Sequence, residues 1–279
     1  MKTSIAYIVV AGTINAYVGG KQYSIASDSP YFEGAKAALK NKDAKGFVAN
    51  ADLDKTARER SRGQITFAHG VIRWNGQPVH NALTKRILAL VKQDFDFQPL
   101  LNFLEKLMRN PDSDSINELY LFLEANTLPI TEAGNFLAYR RVDKNYLSLH
   151  ANPDGTRNSN KIGESVTMKR SECERNRDKT CSKGLHFASL SYIPHYGSDS
   201  NGDRTVVVEI DPSDVVSIPS DYNNQKGRCC KYTVVSEHLD GENNDTLSNT
   251  AVYKVTPTGI TPAAKFSGRD PATGRFCRQ

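Results

Sequence analysis

Phe136-Leu137-Ala138-Tyr139-Arg140-Arg141-Val142 opens the stretch, Phe136 to Val235, whose reading decides the fold. Three further runs follow in it: Gly184-Leu185-His186-Phe187-Ala188-Ser189, Thr205–Ile210 and Lys231–Val235. Each is short, rich in β-branched and aromatic residues, and bounded by glycine or polar segments, which is the pattern of buried strands. The polar excursion Leu149–Ser165 and the segment Ser217-Ile218-Pro219-Ser220-Asp221-Tyr222 connect them. Strand alternation turns one of Arg140 and Arg141 inward, where it needs a carboxylate or carbonyl; Asp221 is the candidate partner.

Upstream the period changes to that of helices. Leu83, Ile87, Leu88 and Val91 fall on one helical face, as do Leu100, Leu101, Leu104, Leu107 and Met108 after Pro99. Ile116, Leu119, Tyr120 and Leu123 make a third helix, with Asp114 or Ser115 as its cap and Pro129 beyond its end. Nearer the start, Ile5–Val10, Ile14–Val18 and Tyr23–Ala26 read as strands joined at Ala11-Gly12 and Gly19-Gly20. Asp28-Ser29-Pro30 begins a helix that runs to about Lys42. Lys42–Gly63 is charged and weakly periodic and is expected to be a mobile connection. Gln64–Phe67 and Val71–Trp74 form a hairpin around His69-Gly70, with Trp74 filling a core and Asn75-Gly76 turning the chain again.

Beyond the deciding stretch, Asp240–Asn249 reads as a mobile loop and Ala251–Val255 as one more strand. The resulting expectation is an α+β protein in three parts. Residues 1–130 form an N-terminal α+β domain of β-hairpins plus a helical bundle. Residues 131–258 form a β-rich domain, and 259–279 a basic flexible tail.

The chain has 279 residues, a net charge of +5, and 38% hydrophobic and 24% charged residues. It can bury a sizeable core without staples. Basic and acidic residues number 16 and 13 up to residue 130, and 20 and 18 after it, so neither half is a polyelectrolyte of the nucleic-acid-binding kind. Five cysteines with no Cys-x-x-Cys spacing argue for a reducing compartment, no disulfide and no structural metal. No apolar run approaches the roughly 20 residues of a membrane span, and Met1–Ile8 is a poor signal peptide. A Gly-x-Ser-x-Gly elbow, a phosphate-binding loop and a dinucleotide fingerprint are all missing, so no catalytic residue is assigned and no cofactor is expected.

The text of Phe136–Val142, of Cys181–Gly197 and of Val206–Val235 resembles the phage rIIB family. Asn75–Leu83 and Leu128–Glu132 resemble the same family's N-terminal part, so the likeness covers most of residues 65–235. The resemblance implies a non-enzymatic early phage protein of the host cytoplasm. Such a protein assembles with itself and with an rIIA-like companion, lies peripherally at the host inner membrane, and protects the infected cell from prophage exclusion and premature lysis.

A second likeness is to the ADP-ribosyltransferase fold, through the order Tyr139-Arg140, Gly184–Ala188, Tyr196 and two late strands. It implies a pocket lined by Tyr139, Arg140, His186, Ser189, Tyr196 and Lys231, with His186 and Lys231 facing one cleft. Lys231 or Cys230 stands where that fold needs its carboxylate. A cation there opposes the ribosyl cation of the transition state, so a nucleotide- or anion-binding module is implied rather than turnover. The blander reading of His186 is a hydrogen-bonded, half-buried strand residue. A third reading takes Lys265, Arg269, Arg275, Phe276 and Arg278 as weak contacts to nucleic acid or to a partner.

Overall fold

A computed structural model describes residues 5–27, 32–52, 61, 63–68, 71–79, 83, 98–152, 154–238, 247, 251–257, 259–265, 267–269 and 276–277. By internal packing the chain divides into two units, Met1–Phe97 with Ser267–Cys277, and Gln98–Phe266 with Arg278–Gln279.

The first unit begins with three antiparallel strands, β1 (Ile5–Val10), β2 (Thr13–Val18) and β3 (Lys21–Ala26). Ala11, Gly12, Gly19 and Gly20 all take positive φ, as two-residue hairpin turns require. Ile14, Ala16 and Val18 face a small core with Ala35, Ala38 and Leu39 of α1 (Phe32–Lys40) and Phe47 of α2 (Ala44–Ala51). The second of these helices lies in the segment expected to be a mobile connection. Its start is written in Asp43, whose carboxylate accepts the Gly46 N–H at 3.0 Å. A second hairpin, β4 (Ile65–Ala68) and β5 (Val71–Trp74), continues to β6 (Gln77–Pro78) through Asn75-Gly76, both at positive φ. Trp74 is buried as expected. Leu83 is helical and buried, while the rest of the Leu83–Val91 stripe lies outside the described residues, as do Asp28-Ser29-Pro30 and His69-Gly70.

The second unit is built on a seven-stranded antiparallel sheet. Its strands are β7 (Phe136–Val142), β8 (Ser165–Thr167), β9 (Leu185–Ala188), β10 (Arg204–Ile210), β11 (Val215–Ser217), β12 (Lys226–Cys229) and β13 (Lys231–His238). Their order across the sheet is β11-β12-β9-β7-β10-β13-β8. The four apolar runs of the sequence are thus β9, β7, β10 and β13, side by side at its centre.

Helices α3 (Gln98–Met108) and α4 (Ser113–Ala125) belong to this unit, so its boundary falls at Gln98 where the sequence suggested 130. Phe122 of α4 meets the Phe187 ring edge-on, and Phe136 packs edge-on against the same ring. Asn110 donates to the carbonyls of Pro212 and Val215 at 2.8 Å and accepts from Arg170, which also bonds Val215. These long-range bonds, invisible to local periodicity, attach the helices to the sheet. The cap of α4 is Asp112 and not Asp114 or Ser115; it accepts both of their N–H groups and pairs with Arg175.

The polar excursion after β7 is ordered around Asn160, which is fully buried. Its amide donates to the Ser148 hydroxyl and to the Tyr146 and Asn158 carbonyls, and its oxygen accepts a hydrogen bond from the Tyr232 hydroxyl. After β14 (Ala251–Thr256), residues expected to begin the flexible tail form β15 (Gly259–Lys265), which pairs with β14. Two short strands follow, β16 (Ser267–Arg269) and β17 (Phe276–Cys277). Apart from Leu247, the 240–249 loop lies outside the described residues.

Candidate functional site: a cationic cleft at the split between β7 and β9

Neighbouring strands β7 and β9 pair at a single position, Tyr139 opposite Ala188. Beyond it they diverge, and Arg140 fills part of the gap, donating to the His186 carbonyl at 2.5 Å and to the Ser148 hydroxyl at 3.2 Å. Its guanidinium lies over the Tyr232 ring, 5.1 Å from the centroid. A narrow cleft opens at this split. Tyr139, Arg140, Arg141, His186, Tyr192, Tyr196 and Lys226 are among the residues lining it, together with Phe187, Ala188 and Ile193.

The strand register explains part of the gathering of charge, though not Arg140, which alternation sends to the face opposite its neighbour Tyr139. Arg228 pairs with His186, and Lys226 with Ala188, so these residues share the face that Tyr139 joins through Ala188. Lys226 is almost wholly buried; it pairs with Asp221 at 2.7 Å and stands over the Tyr192 ring. Arg141 is bound to Asp199 and to the Thr205 hydroxyl. Arg228, at 0% exposure, makes no ion pair among the described residues. It donates instead to the carbonyls of Glu174, Asn176, Lys179 and Thr180 and to the Ser217 hydroxyl, clamping the 174–180 loop onto the sheet.

The consequence for His186 is large. Burial, reinforced by the charges of Arg140, Arg228 and Lys226, pushes its pKa down to about 3, against a weaker opposing hydrogen bond to the Ser182 backbone. It is a neutral imidazole at physiological pH, and its Nε2 is buried without a hydrogen-bond partner among the described residues, as is Nε of Arg140. Burial likewise pushes the Tyr139 phenol up to about 12. Among the described residues no carboxylate lines the cleft, although Asp221 and Asp199 pair with its cations Lys226 and Arg141. Its interior volume is about 30 Å³, space on the scale of a water-sized group and far below the roughly 300–1,000 Å³ of sites for larger ligands.

Of the pocket residues suggested by sequence, Tyr139, Arg140, His186 and Tyr196 come together here. Ser189 does not line the cleft; it is buried beneath the following turn, with its hydroxyl on Ser191. Lys231 is elsewhere. It is exposed at the start of β13, opposite Thr167 of β8 and three strands from β9, because β7 and β10 intervene. The partner assigned to the arginine pair is also corrected, since Asp221 serves Lys226.

Sequence reading missed Lys226, Tyr192 and Arg228. The signal was present as two cations at i and i+2 just before Cys229-Cys230, which strand alternation sends to one face. Among the basic residues near the C-terminus, Lys265 and Arg269 lie on β15 and β16 and Phe276 on β17, while Arg275 and Arg278 lie outside the described residues. Among the described residues no three His, Cys, Asp or Glu side chains converge as a metal site would need, and no helix is long and apolar enough to cross a membrane.

The bacteriophage T4 protein rIIB family model matches residues 2–245, a longer span than the 65–235 on which the resemblance rests. Protein rIIB of Enterobacteria phage T4 is 38% identical over 175 residues, which cover 63% of this chain and 54% of that protein. The match therefore spans about half the length of this relative. No solved structure matches, so the likeness to the ADP-ribosyltransferase fold finds no support among known folds and the α+β assignment stands alone. With nearly the whole chain matched by its model, the protein belongs to the T4 rIIB family.

Proposed function

We propose that this chain is a non-enzymatic interaction protein of the infected cell, and that its cleft receives an anionic group from a partner or from solution. The observation that carries this reading is the composition of the cleft: cationic and aromatic walls, a histidine held neutral, and no carboxylate. General acid–base work needs a group that titrates near the working pH, and ribosyl transfer needs a carboxylate; neither is present there. Among the described residues Arg140 has a spare donor and no acid partner, and a guanidinium in that state is stabilised by a carboxylate or phosphate.

Family membership supports the wider role: an early protein that assembles with itself and with an rIIA-like companion. It would act in the host cytoplasm, peripherally at the inner membrane, against prophage exclusion and premature lysis. A nucleotide-binding module keeps the aromatic walls as its one supporting feature, but the cleft is too small to enclose a dinucleotide. Nucleic-acid contact through Lys265 and Arg269 remains a weaker proposal.

Thermal melting with inorganic phosphate, NAD and the purified companion separates these readings, because a ligand of the native state raises Tm by mass action. Phosphate stabilisation that is lost in Arg140→Met, with co-elution of the companion on size exclusion, supports the proposal. Stabilisation by NAD far beyond that by phosphate, with release of nicotinamide, refutes it.

A further inference from the structure

Most of the large apolar side chains left exposed among the described residues sit together in the first hairpin. Tyr7, Ile8, Val9 and Val10 of β1 are 51%, 62%, 57% and 57% exposed, and Tyr17 of β2 is 56% exposed. Strand β1 is an edge, paired with β2 alone among the described strands. Natural edges are blunted by lysine, proline or a bulge. This one has none of them: its six residues, Ile5-Ala6-Tyr7-Ile8-Val9-Val10, carry no charge, and their register with β2 is unbroken.

The free backbone groups can be assigned. The two-residue turn Ala11-Gly12 is closed by Val10 opposite Thr13, and the closing pair of such a hairpin is hydrogen-bonded. Hydrogen-bonded pairs alternate along an antiparallel ladder. Ala6, Ile8 and Val10 therefore bond β2, while Ile5, Tyr7 and Val9 direct N–H and C=O to the open side. Those three also point their side chains to the core face, opposite Val18, Ala16 and Ile14. Ile5 reaches the core under the helices, whereas Tyr7 and Val9 do not and remain uncovered.

We infer that β1 is an interface for a second copy of this chain, the two edges pairing antiparallel about a twofold axis at Tyr7. Among the described residues the free groups belong to three residues centred on Tyr7, an N–H and a C=O each, so this register satisfies all of them: Tyr7 faces Tyr7, Ile5 faces Val9 and Val9 faces Ile5, through six hydrogen bonds. The axis stands perpendicular to the sheet, which places the α1–α2 layers of both copies on one side. Tyr7 and Val9 of the two copies then continue a single core between those layers. An uncharged strand meets itself without like-charge repulsion, which fits an isologous contact.

The contact is confined to one six-residue edge strand of each copy, a small area beside the roughly 1,200 Å² of stable interfaces. The association is accordingly weak and follows concentration. This inference deepens the self-assembly part of the proposed function, and its test leaves the cleft untouched, so either can fail alone.

Sedimentation velocity of the full chain tests it. The unmodified protein shifts from 30.9 kDa toward twice that mass as its concentration rises through about 10–200 µM. Tyr7→Lys and Tyr7→Glu each stay monomeric because like charges meet on the axis, and an equimolar mixture of the two recovers the dimer. Should Tyr7→Lys unfold the hairpin by circular dichroism, Val9→Lys, which meets Ile5 of the other copy, replaces it with the same expected loss. A protein that remains monomeric throughout, a variant that dimerises like the unmodified chain, or a mixture that stays monomeric overturns the inference. Capture of a different protein by residues 5–10 of a monomeric chain does so as well.

Discussion

Replacing His186 with glutamine removes a titration that the cleft has suppressed, and its effect can be worked out from the surroundings. The imidazole pKa lies at about 3 in the folded chain against an ordinary 6.5. Above 6.5 both states are neutral and the histidine adds no pH dependence. As the pH falls from 6.5 toward 3, the unfolded chain takes up a proton that the folded cleft refuses, because a charged imidazole there would be desolvated beside Arg140, Arg228 and Lys226. Stability falls by about 1.4 kcal/mol for each pH unit in that window, and the slope ends below about 3.

At pH 5 the loss is therefore about 2 kcal/mol relative to pH 7.5. Carboxylates titrate in the same range, so the informative quantity is the difference between unmodified protein and His186→Gln. Urea unfolding followed by circular dichroism at pH 7.5, 6.5, 5.5 and 5.0 should show the variant gaining about 2 kcal/mol on the unmodified protein across the series. A parallel NMR titration should leave the His186 ring proton unmoved down to pH 4. A constant difference between the two proteins, or a ring that titrates above pH 6, would show that the cleft is wetter and less cationic than described.

Other outcomes follow from single contacts. Arg228→Met strands four backbone carbonyls and the Ser217 hydroxyl in the interior and should cost about 3–5 kcal/mol in urea unfolding; a loss under about 1 kcal/mol would mean that the 174–180 loop does not depend on it. Gly227→Ala would place a methyl group 2.1 Å from the Phe187 ring, displacing the Phe122–Phe187–Phe136 stack at a cost of about 1–3 kcal/mol, measured in the same way. Asp43→Ala should destabilise α2 by about 1 kcal/mol and raise amide exchange over Ala44–Ala51 without altering exchange in β7 or β10.

What the sequence made legible is what local rules govern. Ala11-Gly12, Gly19-Gly20 and Asn75-Gly76 marked their turns because the positive φ they adopt is available to few residues. The leucine stripes of α3 and α4 announced helices, and β7, β9, β10 and β13 were visible as apolar runs. The Ala44–Ala51 helix was overlooked because its apolar face is short, although Asp43 signals its start.

What sequence left hidden is non-local. Nothing in the order of strands along the chain tells that β7 and β10 separate β13 from β9, so Lys231 was drawn into a cleft three strands away. The attachment of α3 and α4 to the sheet rests on Asn110, Asp112, Arg170 and Arg175, polar residues whose partners lie about 60 to 105 positions distant. The cleft was half legible: His186 and Arg140 stood out as polar residues in apolar runs, whereas Lys226 and Arg228 needed the register of β12 against β9 to acquire meaning.

The central proposal is that the β7–β9 cleft binds an anion and performs no chemistry. It is tested most directly by titrating the full chain with inorganic phosphate at low ionic strength, followed by chemical shifts of the Tyr192, Tyr196 and His186 rings, and then assaying the same sample for nicotinamide release from NAD. The account predicts saturable shifts confined to those rings, their loss in Arg140→Met, and no nicotinamide above the buffer rate. Rings that do not respond to phosphate, or steady release of nicotinamide that His186→Gln abolishes, would contradict it.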